Sequence, residues 1–341
     1  MAFGCSSFTW DTEDGKHLLG RTYDEFGDLA GNRITVVPRG IRMKTQVSEN
    51  SNFAVNVKYA HMGMAVIGLH TPVMVDGINE KGLMGALLNY PGYAVYNTRK
   101  GSRHINVHPG FLIGFLLGQC ASLEEVIGSL TYVNLTDEKI FGEDMSVHYI
   151  FSDSTGHAAV IEPDRDEIKI HCDSLGVMTN SPDYLWHKTN LRNYLSVTNL
   201  HTPPRKIIGT EFTCFGHGTG GGFGLPGDYS SPSRFVRTAM MKNFGVKGKD
   251  EIDGITRMFH NFASVNIPEG IMKASPDQCE YAQTLCTCAM CSESLTYYFN
   301  TARNFRISAL CLENELKGCE MKYYALCEKQ DILFLNSTKK L

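Results

Sequence analysis

The order in which extended and helical patterns follow one another constrains this 341-residue chain more than any single motif. Strand-like runs open it at residues 5–9, 16–21 and 33–37, separated by Asp/Gly turns such as Asp14-Gly15, and continue at 53–59, 64–68 and 82–88. A helical pattern covers 110–120, and Ser122-x-x-Glu125 reads as a capping box that opens a helix to about residue 130. The middle returns to strands at 146–152, 158–162, 167–171 and 175–179. Asn180-Ser181-Pro182 then predicts a helix to about residue 194, with Ser181 as its N-cap and Pro182 as its first residue. Ser231-Pro232 opens another, with Arg234 in its first turn, and 250–265 reads as a further helix. Strands close the chain at 285–289, 296–301, 306–310 and 322–325. Blocks of strands with helices between the blocks predict an α+β fold of antiparallel sheets. A doubly wound parallel sheet needs a regular βαβ alternation that is absent here. No internal repeat, low-complexity tract or Pro/Ser-rich linker divides the chain.

Charge and targeting signals narrow the partners. The net charge is −4, with Lys and Arg scattered, so neither a nucleic acid nor an anionic membrane is expected as partner. The four residues before Cys5 hold no basic or apolar leader, and the longest apolar run, 111–117, is far short of the roughly 18–20 residues of a membrane span. Eleven cysteines without an export signal are expected to be mostly reduced thiols in the cytoplasm.

Several motifs lose on inspection. Gly216-His217-Gly218-Thr219-Gly220-Gly221-Gly222 matches G-x-G-x-x-G, but Phe223-Gly224-Leu225-Pro226-Gly227-Asp228 follows, which cannot continue the helix a dinucleotide site requires. It is expected to be a loop. Cys286-x-Cys288-x-x-Cys291 falls in a strand pattern, with Cys286 and Cys288 on one face and Cys291 on the other, and lacks a fourth ligand at a familiar spacing. Buried thiols are expected there, not a metal site. His148 and His187 stand alone and read as structural.

Cys5 is different, because it opens the first strand behind four small or apolar residues. A core thiol is one reading. The other is a nucleophile that becomes residue one when residues 1–4 are removed, so that its freed α-amino group can take the thiol proton. The Arg21 guanidinium would then favour thiolate over thiol, and the Asp24 carboxylate could orient the ammonium by a charge-assisted hydrogen bond.

At this point the chain resembles a family. Cys5-Ser6-Ser7, Asp14-Gly15-Lys16-His17, Gly20-Arg21-Thr22-x-Asp24 and Pro38-Arg39 resemble the opening of the choloylglycine hydrolases, the group of penicillin V acylases and conjugated bile salt hydrolases. The likeness continues through Asp76-Gly77-x-Asn79-Glu80-Lys81-Gly82-Leu83, Leu88-Asn89-Tyr90-Pro91-Gly92 and Gly176-Val177-Met178-Thr179-Asn180-Ser181-Pro182. Gly224-Leu225-Pro226-Gly227-Asp228 through Ser233-Arg234-Phe235-Val236-Arg237 is its most characteristic block.

The resemblance implies a four-layer αββα sandwich, the N-terminal-nucleophile hydrolase fold. It makes Cys5 the nucleophile, Arg21 and Asp24 its charged partners, Asn180 the oxyanion-hole amide and Arg234 the remaining active-site arginine. Asn89 falls at the second oxyanion position, asparagine in most bile salt hydrolases and tyrosine in related acylases. Tyr23, where relatives often have Met or Leu, is expected to shape the substrate pocket. Residues 1–4 would be a short propeptide and residues 5–341 one hydrolase domain, commonly a homotetramer in this family. The expected reaction is hydrolysis of a small-molecule linear amide without metal or organic cofactor. Penicillin V acylase-like activity is preferred on the wording around residues 84–87, 146–152, 176–182 and 265–271. Conjugated bile salt hydrolysis is the alternative, and an unprocessed inactive binding protein the remote one.

Overall fold

The computed structural model describes residues 4–44, 54–96, 105–140, 142–164, 167–214 and 220–336. Two antiparallel sheets form its centre. The first runs in the order Val177–Met178, Gly4–Asp11, His17–Glu25, Gln283–Cys291, Thr296–Thr301, Asn304–Cys311. The second runs Glu167–His171, Ala158–Asp164, Val147–Ser152, Met84–Asn89, Asp76–Asn79, His61–Val66, Asn32–Val37, Lys322–Ala325, with the short Val73–Met74 beside His61–Val66. Helices Ser231–Phe244 and Glu251–Phe262 pack on the first sheet, and helix Leu112–Gln119 covers the second. The layers are therefore helix, sheet, sheet, helix, as the strand and helix blocks and the family resemblance imply.

Because each central sheet is covered on both faces, its inner strands lose the polar alternation of a half-exposed sheet. Gly4–Asp11 is buried along all but its last residue, and Gln283–Cys291 along all but its first. The outer helices keep their periodicity. Glu251–Phe262 buries Ile255, Met258, Phe259 and Phe262, the i, i+3, i+4, i+7 stripe of a helix lying on a sheet, and Phe262 meets Phe8 of the first strand with ring centres 4.4 Å apart. Asp250 caps this helix by accepting from the Asp253 N–H. Ser122 likewise caps Leu123–Leu130, accepting from the Glu125 N–H, while the Glu125 carboxylate reaches back to the Ala121 N–H.

Two local expectations change. Ser181 is not an N-cap: its hydroxyl donates to the Pro91 carbonyl at 2.6 Å, and Asp183 instead caps helix Tyr184–Asn190, which gives way to a 3₁₀ turn at Leu191–Tyr194. Ser231 and Pro232 are the first two residues of their helix rather than its cap and first residue, and Arg234 stays in the first turn. Asp76–Asn79 is a central strand of the second sheet. In the glycine-rich segment, residues 216–219 lie outside the described residues, and 221–224 form a turn with no helix before Ser231. Residue 53 of the run at 53–59 also lies outside them, and the strand there is Ala54–Asn56. Among the described residues no helix is long and apolar enough to cross a membrane.

The strand at Asp76 is admitted by two glycines. Gly63 in the neighbouring strand faces Asp76 and Gly77 so closely that a methyl group there would collide with the Asp76 carbonyl and stand 2.5 Å from Gly77 Cα. Gly63→Ala is therefore expected to cost about 1–3 kcal/mol or more by overpacking backbone against backbone. Urea unfolding measures this, and an unchanged midpoint would show that the strands can separate freely.

Candidate active site

Strand pairing places the first charged groups. Gly4–Asp11 and His17–Glu25 are antiparallel neighbours with Cys5 opposite Tyr23, Ser7 opposite Arg21 and Gly4 opposite Asp24. Directly opposed residues share a face and successive ones alternate, so Cys5, Arg21 and Tyr23 point one way and Asp24 the other. The Cys5 face looks onto the second sheet. There Arg21 Nη2 donates to Cys5 Sγ at 2.8 Å, and Nη1 lies 3.4 Å from Asp76 Oδ2. The Tyr23 ring stacks under the guanidinium at 4.9 Å.

The opposite face of the strand meets the helical layer. Arg234, in the first turn of Ser231–Phe244, donates from Nη1 to the Cys5 carbonyl at 2.6 Å and to Ser6 Oγ at 2.9 Å. Its Nη2 donates to Asn180 Oδ1 at 2.6 Å, and that oxygen also accepts the Cys5 N–H at 2.9 Å. Asp24 Oδ1 accepts from Thr284 Oγ1 at 2.6 Å, whereas buried Oδ2 has no hydrogen-bond partner and lies 3.9 Å from Arg234 Nη1. Four of the predicted residues, Arg21, Asp24, Asn180 and Arg234, thus converge on Cys5, although Asn180 and Arg234 lie 175 and 229 positions away in sequence.

Asn180 is fixed from every side. Its backbone N–H donates to Ser231 Oγ at 2.9 Å, so the start of the Arg234 helix also holds Asn180. Its Nδ2 donates to the Asn89 carbonyl at 2.7 Å, so Asn89 meets Asn180 through its backbone. An amide nitrogen has two donors, and spending one on Asn89 fixes the direction of the other. Two imidazoles brace the same stretch: His148 Nε2 lies 2.8 Å from the Thr179 carbonyl and His187 Nε2 lies 2.9 Å from the Asn180 carbonyl. Behind them Glu162 reaches His148 at 3.4 Å and His171 at 3.1 Å. Tyr90 stacks on His148 and Phe235 on His187.

The electrostatics follow from burial. Burial pushes the Cys5 thiol up, over the opposing pull of Arg21, and pushes Asp24 up, over that of Arg234. Burial works against the Arg21 cation too, but Cys5 and Asp76 more than restore it. Burial likewise raises Tyr23, and lowers Arg234 against the pull of Asp24. Asp76, Thr284 and Ser231 are site neighbours that the sequence reading did not select. Asp76 stands in the sequence only as part of a motif of the resemblance, and nothing local in the chain ties Thr284 to Asp24, 260 positions away, or Ser231 to Asn180, 51 away.

The family model of linear amide C–N hydrolases, choloylglycine hydrolase family, matches residues 5–324. The chain belongs to this family, and is a linear amide hydrolase. It is 34% identical over 327 residues to a bile salt hydrolase/transferase of Clostridium perfringens, covering 94% of this chain and 96% of that protein. It is 32% identical over 299 residues to a bile salt hydrolase/transferase of Bifidobacterium longum, covering 87% and 92%. A solved conjugated bile acid hydrolase from Clostridium perfringens superposes with a TM-score of 0.88 at 30% identity, over 97% of this chain and 100% of that one. A penicillin V acylase from Agrobacterium tumefaciens superposes with a TM-score of 0.74 over 94% and 90% of the two chains; at 21% identity it shares the fold.

The brace around Asn180 has a pH signature. Burial pulls His187 from 6.5 down to about 4, with the Asn180 carbonyl acting the other way. His187 is therefore neutral when folded, and the unfolded chain takes up its proton first as pH falls below 6.5. Stability drops between 6.5 and about 4, then levels off for this group. Buried His61, also lowered to about 4, adds to the same window. Burial raises Glu162, but hydrogen bonds from His148 and His171 win and bring it from 4.5 to about 2, so its contribution is present above 4.5 and lost toward 2. His187→Gln should thus lose less stability than the parent between pH 6.5 and about 4 and the same amount below. Urea midpoints across that range decide; parallel curves would remove His187 as the source.

Proposed function

We propose that the chain cleaves conjugated bile salts, steroid acids joined by an amide to glycine or taurine, with Cys5 as nucleophile once residues 1–4 are removed. The observation that carries the chemistry is the Arg21 guanidinium at 2.8 Å from Cys5 Sγ, beside a Cys5 nitrogen already directed at Asn180 Oδ1. The substrate reading rests on the relatives. Their names favour bile salts over the penicillin V preference drawn from sequence wording, because the acylase similarity at 21% identity carries only the fold.

Cleavage between Gly4 and Cys5 would turn an amide nitrogen, which has no basic lone pair, into a primary amine. Asp24 Oδ2, buried and without a hydrogen-bond partner, is the natural counter-charge for that amine as ammonium. The amine takes the Cys5 thiol proton, and the thiolate, opposite Arg21, adds to the amide carbonyl. The second Nδ2–H of Asn180 meets the developing oxyanion, with Asn89 as the further contributor, and a preorganised donor of this kind is typically worth about 3–4 kcal/mol of barrier. Collapse expels glycine or taurine as the ammonium delivers the proton to the leaving nitrogen. Water then adds to the thioester, giving the steroid acid and restoring the thiol. Arg234 holds the Cys5 carbonyl and Asn180 in register throughout. Tyr23 acts through Arg21, under which it stacks. Assembly as a homotetramer is proposed with this reading, and sedimentation of the purified protein tests it.

Intact mass of the active protein is expected to show a chain beginning at Cys5. A methyl group at position 4 would stand 3.2 Å from Arg234 Nη2 and 3.3 Å from Asp24 Oδ2, so Gly4→Val should slow or stop that maturation. Full activity in a chain that retains its first four residues would sink the mechanism. For the substrate, kcat/KM for glycocholate or taurocholate should exceed that for penicillin V by at least about tenfold, a gap of roughly 1.4 kcal/mol in transition-state binding. The reverse order would restore the acylase reading.

Position 89 offers a separate check on specificity. Asparagine is short and leaves room for a steroid, whereas tyrosine would fill that room with a flat apolar ring suited to a phenoxyacetyl group. Asn89→Tyr is expected to raise the ratio of penicillin V to glycocholate kcat/KM. An unchanged ratio would place selectivity elsewhere.

A further inference from the structure

We propose that Asp76 is a positioning residue for the nucleophile: from the opposite sheet it holds the Arg21 guanidinium against Cys5 and divides that cation's charge with the thiol. The inference rests on Cys5 being the nucleophile, but not on which amide is cleaved.

Asp76 is fully buried in the strand Asp76–Asn79. Four donors converge on it. The Met64 N–H and the Tyr297 hydroxyl reach Oδ1 at 3.0 and 2.8 Å, while Arg21 Nη1 and Cys288 Sγ reach Oδ2 at 3.4 and 3.3 Å. A group that only accepts, from a cation among others, is in the setting of a carboxylate. The two terminal nitrogens of one guanidinium therefore serve opposite partners, Nη1 the carboxylate and Nη2 the thiol. Arg21 is 1% exposed and rests on the Tyr23 ring, so its charge has little solvent to spread into.

Cohesion of the sheets does not require such a pair. Desolvating two ions is costly, and apolar side chains of similar volume usually hold a seam at least as well. What the pair does is local. The charged and titratable groups that act on Cys5 are Arg21 and Tyr23 on its own face of the sheet and, from the opposite face, Asp24 and Arg234 of the helix. Those facing Asp76 are Arg21, Cys286, Cys288 and Tyr297. Arg21 is the member common to both sets. Any change in how much of its charge Asp76 draws reappears at the thiol, and Cys288, which shares Oδ2 with Arg21, modulates that draw.

Opposite shifts from two small substitutions test this. Asp76→Asn keeps an acceptor for Met64 and Tyr297 but removes the charge, leaving the guanidinium to act on the thiol alone. The pH midpoint of Cys5 alkylation by iodoacetamide, read by mass spectrometry on the peptide containing Cys5, is expected to fall by about one pH unit. Cys288→Ala removes the donor that competes for Oδ2 and should raise the midpoint. In an Arg21→Gln background, Asp76→Asn should leave the midpoint where Arg21→Gln put it. A fall of equal size in that background, or a parent-like midpoint in Asp76→Asn, would overturn the proposal and leave Asp76 a structural residue. Should Asp76→Asn fail to fold, Cys288→Ala decides alone: a rise supports the proposal and any other result rejects it. Alkylation is read without turnover, so a protein inactive on bile salts would still give the answer. Full turnover by Cys5→Ala would instead remove the nucleophile assignment.

Discussion

A single guanidinium at the seam between two sheets organises this molecule. Arg21 touches the Cys5 thiol on its own sheet and Asp76 on the facing one. The sandwich makes that contact possible. Only where both sheets are covered by helices is the seam dry enough for one cation to matter so much to a thiol, since charge interactions weaken steeply as water enters. The glycine pair Gly63 and Gly77 lets the Asp76 strand lie close beside His61–Val66 within the facing sheet.

The remaining groups arrive from the helical side, and their placement is a matter of backbone anchoring. Ser231 accepts from the Asn180 N–H at the start of the helix whose first turn carries Arg234. One helix terminus therefore sets both the amide and the arginine, and Arg234 returns to the first strand through the Cys5 carbonyl. The imidazoles of His148 and His187 hold the two carbonyls at Thr179 and Asn180. The orientation of the Asn180 amide is dictated as well: its oxygen takes two donors and its nitrogen faces a carbonyl, so a flipped amide would leave every one of these contacts mismatched.

Much of this was legible in the chain. The strand blocks and the lack of βαβ alternation gave antiparallel sheets, and the runs at 5–9 and 16–21 about Asp14-Gly15 put Cys5 and Arg21 in neighbouring strands, the second of which continues through Asp24. Asn180 and Arg234 came from resemblance, because no local pattern links residues so distant. The misses have physical causes. Asp76 was read only as part of a motif, because its contact with Arg21, 55 positions away, crosses from one sheet to the other and leaves no local pattern. Ser181 looked like a cap because Ser-Pro is a common helix start, but its hydroxyl is taken by Pro91 and Asp183 supplies the cap instead. His148 and His187 could be read as structural, but what they brace depends on contacts that no periodicity encodes.

The distances along the chain between these partners carry one more consequence, for the order of events in folding. Cys5 is among the first residues of the chain, yet its amide partner and the arginine on its carbonyl lie 175 and 229 positions later. Contacts of such long separation form late, since the intervening loop must be closed before they yield anything. The hairpin that pairs Cys5 with Tyr23 can form early, but Asn180 and Arg234 are absent from it. The thiol in that hairpin has Arg21 within reach but neither the Asn180 amide nor the Arg234 brace. On the proposed reading of Cys5 as nucleophile, full reactivity waits until these distant contacts have closed.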